Sequence, residues 1–100
     1  MRFKVKKEIE TKNDVKVTEF FFSDNEMAVE KFISIAKPWC KNDNYDTTVY
    51  SLNMTVADAL GPYALIDRRY SKKDIGGAFM AAVSIKPNGL KSIVKVYQVE

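Results

Sequence analysis

The sequence predicts a two-layer α+β fold, and three observations carry that prediction. Alternating apolar strands flank turn residues near both ends of the chain. A capped amphipathic helix follows the first strand pair, and glycine and proline punctuate short elements in between. The expected architecture is an antiparallel sheet of about five strands built from N- and C-terminal hairpins. One main helix (about 24–37) packs on it, with a second short one beside it. At 100 residues, 46% of them apolar and 29% charged, the chain has the size and make-up of one domain, 1–100, with a core of its own.

The first hairpin joins residues 2–10 to 15–22 around Lys12, Asn13 and Asp14, which favour turns. Opposite charges suggest its register: if paired residue numbers sum to 26, Glu10 meets Lys16 and Lys7 meets Glu19. That register collects Phe3, Val5, Ile9, Val15, Val17 and Phe21 on one face, and leaves Lys4 opposite Phe22 and Lys6 opposite Phe20 on the other.

Ser23-Asp24-Asn25-Glu26 then has the Ser-x-x-Glu pattern of a capping box. Val29, Phe32, Ile33, Ala36 and Cys40 recur at helical spacing, and Pro38 is expected to stop the helix near Lys37. A polar loop over 41–46 leads to a strand from Thr48 to Met54. Thr55 to Asp58 suits a short helix that Gly61-Pro62 ends or redirects; residues 63–70 lean towards a second helix, although Tyr63-Ala64-Leu65-Ile66 can equally begin a strand. Phe79–Lys86 and Leu90–Val99 form the last hairpin around Asn88-Gly89. A two-residue loop there places Phe79, Ala81, Val83 and Ile85 beside Val94 and Val96.

The composition narrows the chemistry. The chain has no histidine, which removes Ser-His and Cys-His nucleophile pairs and His-based metal sites. Its one cysteine, Cys40, cannot form an internal disulfide. Asn42, Asn44 and Asp46 begin like a calcium loop, but Thr47 and Asn53 stand where glycine and glutamate are required. No phosphate-binding glycine loop is present. Carboxylate- or Lys-based chemistry survives these exclusions and leaves a small enzyme of that kind as a third alternative, but no enzyme, metal or cofactor is expected. No secretory leader or membrane span is read from the sequence either, and with a single cysteine the expected location is cytoplasmic.

Two surfaces stand out as binding candidates. Lys4, Lys6, Phe20 and Phe22 interleave cations with aromatic rings on one sheet face. Arg68, Arg69, Tyr70, Lys72 and Lys73 form a basic run around a ring. The net charge of +3 is uneven: residues 21–66 hold Lys31, Lys37 and Lys41 against Asp24, Glu26, Glu30, Asp43, Asp46 and Asp58. The favoured expectation is a non-enzymatic module that binds a protein partner or itself, in the manner of the small accessory and inhibitor proteins of phages and mobile elements. Its motive is Phe20-Phe21-Phe22, three consecutive rings that one face cannot bury. The alternative is a single-stranded DNA or RNA binder using both surfaces.

Overall fold

The computed structural model describes residues 2–99 and shows an α+β domain. Its elements are β1 (Arg2–Glu10), β2 (Val15–Phe22), α1 (Asn25–Lys41), β3 (Asp46–Tyr50), α2 (Met54–Leu60), β4 (Leu65–Asp67), a 3-10 turn (Lys72–Ile75), β5 (Met80–Ile85) and β6 (Lys91–Val99). The six strands form one mixed sheet in the order β2-β1-β6-β5-β3-β4. All neighbours run antiparallel except β3 and β4. A parallel pair needs a crossover, and α2 supplies it; of the two readings of residues 63–70 the strand is the one formed, as the edge strand β4, and not the second helix towards which the segment leans.

Both hairpins sit one residue away from the predicted register. In the first, paired numbers sum to 25: Phe3 meets Phe22, Val5 meets Phe20 and Lys6 meets Glu19. The turn decides this. The Thr11 N–H donates to the Asp14 carbonyl at 2.7 Å, and Thr11 Oγ1 accepts from the Asp14 N–H at 3.1 Å, leaving only Lys12 and Asn13 in the loop. In the second, Ile85 meets Lys91 and Ala82 meets Val94, closing a loop of three residues instead of two. Pro87 fits the second position of a type I turn, whose Gly89 N–H returns to the Lys86 carbonyl at 2.9 Å. Gly89 then takes φ +84°, and no other residue in this loop has positive φ, so the turn expected from Asn-Gly is not formed.

The main helix also departs from expectation at both ends. Asp24, not Ser23, is its cap, accepting from the Glu26 N–H at 2.8 Å. The helix runs through Pro38 to Lys41. Pro38 lies on the solvent side, while the following turn buries Cys40 and half-buries Trp39 against the core. That burial offsets the missing N–H, which in a helix interior costs about 3 kcal/mol. Strand β3 ends at Tyr50, earlier than expected, because Asn53 caps α2 by accepting from the N–H groups of Thr55 and Val56.

The core lies between α1, α2 and one sheet face. Val5, Ala28, Val29, Phe32, Ala36, Val49, Val56, Leu60, Met80, Ala82, Val94 and Val96 are buried there. Phe3, Phe20 and Phe22 pack around its margin. No helix among the described residues is long and apolar enough to cross a membrane.

Candidate interaction surface

The helices cover one side of the sheet, so every second residue of each strand faces the other side. Following the pairings across the strands gives the rows of that uncovered side. One runs Phe21, Lys4, Tyr97. The next runs Glu19, Lys6, Lys95, Ala81, Tyr50, Asp67. The third runs Val17, Glu8, Ile93, Val83, Thr48, Leu65.

Part of this side has a cover. The connector from β4 to β5 crosses it and packs Ile75 and Ala78 on Ala81, with Tyr50, Tyr70 and Tyr97 around them. Gly76 reaches φ +69° where this connector turns over β6; a side chain there would meet Lys95 Nζ at 3.1 Å. The β2 end has no such cover, and Val15, Val17 and Phe21 are 45%, 53% and 57% exposed.

The sequence-predicted site residues are therefore redistributed. Lys4 and Lys6 do face the uncovered side. Phe20 and Phe22 do not: the observed register turns both towards α1, where Lys31 Nζ sits 4.2 Å from the Phe20 ring centre. Phe21 takes their place beside Lys4. The lysines are also engaged, since Lys4 Nζ lies 3.3 Å from Glu19 and 5.1 Å from the Tyr97 ring centre, and Lys6 Nζ lies 3.5 Å from Glu8.

The basic run begins at the far edge of the sheet. Arg68 and Arg69 follow β4, five strand spacings (about 24 Å) from β2, but the run continues into the connector over the uncovered side, where Tyr70 packs in one cluster with Tyr97, the ring that Lys4 approaches. Arg68 Nη1 approaches the Met54 sulfur at 3.6 Å. Tyr70 is not free to stack on a base: its hydroxyl donates to the Phe79 carbonyl at 2.6 Å and its ring meets Tyr50 edge-on at 5.9 Å. Burial raises its pKa, with a backbone hydrogen bond at Leu52 partly opposing. Lys72 lines a cleft of about 390 Å³ with Leu52, Asn53, Tyr70, Phe79 and Met80.

Burial pushes the Cys40 thiol up to about 11, away from the reactive thiolate. Among the described residues no group of three or more Asp, Glu or Cys side chains is placed to hold a metal ion. The exposure of Val15, Val17 and Phe21 was missed in the sequence because it depends on one residue of loop length in the first hairpin. Thr11 and Asp14, both able to cap a tight turn, were the available signal.

No protein-family model, curated protein or solved structure matches this chain.

Proposed function

We propose that this protein is a non-enzymatic binding module that docks another protein chain along β2 and the adjoining uncovered rows. The observation that carries the reading is the apolar edge strand: Val15, Val17 and Phe21 stand exposed on one face of β2, with charged residues beside them. Such a rim of charge around exposed apolar side chains is what protein interfaces present. Accessory or inhibitor action fits a module of this kind, because docking alone occludes or recruits without chemistry. A reducing, cytoplasmic setting accords with a single buried thiol.

The test is capture by the tagged protein, comparing the wild type with Phe21→Asp and Val17→Asp. Both positions are outside the core, so these variants should fold. The reading predicts a defined protein chain, a second copy included, that is held by the wild type and lost with either variant. Equal capture by all three proteins, or none by any, removes it.

Single-stranded nucleic acid remains a second reading, because Lys4 stands between Phe21 and Tyr97 on an open sheet face. The strands of that side are balanced, with Arg2, Lys4, Lys6, Lys91 and Lys95 matched in number by Glu8, Glu10, Glu19, Asp46 and Asp67, so net attraction for a polyanion would have to come from Arg68, Arg69, Lys72 and Lys73 of the connector. Fluorescence anisotropy with a labelled oligonucleotide decides. Binding that falls steeply with added salt would favour this reading over the first.

A further inference from the structure

We propose that β2 pairs antiparallel, edge to edge, with β2 of a second copy, joining two six-stranded sheets into one. The inference rests on the docking reading above and names the docked chain.

It begins with the backbone. Thr11 and Asp14 form a hydrogen-bonded pair at the hairpin end, and such pairs alternate along an antiparallel ladder. Lys16, Thr18, Phe20 and Phe22 therefore direct their N–H and C=O groups at β1, whereas Val15, Val17, Glu19 and Phe21 direct theirs outward. The Val15 N–H confirms the alternation, since it donates to its neighbour Asp14 Oδ1 at 2.7 Å and not to β1. The outward groups of Val17, Glu19 and Phe21 belong to the outermost strand of the sheet.

Natural edge strands are usually short, bulged, charged, interrupted by proline or covered, and of these devices β2 has only the charges of Lys16 and Glu19. β2 spans eight residues, carries no proline or glycine, and pairs with β1 at every residue without a bulge. The other edge, β4, has three residues. β2 is thus the edge able to accept a strand.

The strand is also complementary to itself. A two-fold axis that makes neighbouring strands antiparallel stands perpendicular to the sheet and keeps each side on its own side, so paired numbers must have an even sum. With the axis at Thr18, Val15 meets the second copy's Phe21, Val17 meets its Glu19 and Lys16 meets its Phe20. No like charges oppose each other. Moving the axis to Glu19 sets Glu19 against itself, and moving it to Val17 leaves Phe21 without a strand residue opposite. Centred on Thr18, the N–H groups of Val17, Glu19 and Phe21 reach the second copy's carbonyls at Glu19, Val17 and Val15. The charge of Glu19 is already met within its own chain by Lys4, 3.3 Å away. Both α1 helices then flank the seam on one side, beside the half-buried rings of Phe20 and Phe22.

The test combines mass, edge blocking and cross-linking. Light scattering over a concentration series should give about twice the 11.4 kDa chain mass. Val17→Pro and Glu19→Pro each remove an outward N–H, a position where an edge strand tolerates proline, and should yield folded monomers by circular dichroism. Independently of those variants, Thr18→Cys places two thiols in a non-hydrogen-bonded pair about 4.5 Å apart at Cα, within disulfide reach. It should give a covalent dimer on mild oxidation, and Cys40 is buried and does not compete. A wild type that stays monomeric and a Thr18→Cys variant that does not cross-link overturn the proposal. Self-linking by Val17→Cys or Glu19→Cys in place of Thr18→Cys overturns the pairing as stated. A monomer that still captures a different protein through β2 sinks self-pairing and leaves the docking reading standing.

Discussion

The Tyr70 hydroxyl donates to the carbonyl of Phe79 at 2.6 Å, tying the start of the basic connector to the residue that leads into β5. This bond straps the basic run to the connector whose Ile75 and Ala78 cover Ala81, with the Tyr70 ring beside them. Tyr70→Phe should leave a half-buried carbonyl without its donor and cost about 1–2 kcal/mol. Denaturant unfolding of the variant checks this, and an unchanged midpoint would show that the strap is ornamental.

Register makes a contrast between adjacent rings. Phe20→Ala removes a side chain packed against the core margin and should lose about 2–3 kcal/mol. Phe21→Ala removes an exposed one, and the stability of the isolated chain should change by no more than about 0.5 kcal/mol. The two thermal unfolding curves, taken at dilution, distinguish the observed pairing from the one-residue slip, in which the order of the two losses reverses.

Ser92 is buried beneath the helices, and its hydroxyl finds no hydrogen-bond partner among the described residues. Its neighbour on β5, Ser84, is satisfied by Thr47 at 2.9 Å. Ser92→Ala should therefore be neutral or stabilising by up to about 1 kcal/mol, whereas Ser84→Ala should destabilise by leaving Thr47 Oγ1 with only its longer, 3.4 Å bond to the Trp39 carbonyl. Equal losses in chemical denaturation would contradict the difference in bonding.

Cys40 should be inert to alkylation in the folded protein at pH 8 and react readily once unfolded. Its folded pKa of about 11 lies above the ordinary 9.0, so folding favours the neutral thiol. That contribution is complete below pH 9 and is lost as pH rises towards 11. Comparing the alkaline stability profiles of the wild type and Cys40→Ala isolates it. Identical slopes between pH 9 and 11 would show that the thiol ionises freely in the fold.

Local patterns determined most of the element inventory. Alternation placed β1, β2, β5 and β6 within a residue or so, and the 3.6-residue spacing of Val29, Phe32, Ala36 and Cys40 identified the buried stripe of α1. These signals survive folding because each strand or helix buries a face that its own periodicity defines. The absence of histidine likewise excludes whole classes of chemistry by composition alone.

Tertiary structure decided what periodicity leaves degenerate. Phe20-Phe21-Phe22 is apolar on both faces, so alternation alone cannot say which ring points inward; the Thr11–Asp14 turn sets the phase, and α1 receives Phe20 and Phe22. Pro38 reads as a stop until the core contacts of Trp39 and Cys40 outweigh one lost hydrogen bond. Residues 63–70 lack a decisive local preference, and Leu65–Asp67 becomes a strand because β3 offers a free edge after the α2 crossover. In each case the deciding energy is a contact between segments distant in sequence, which no local window contains.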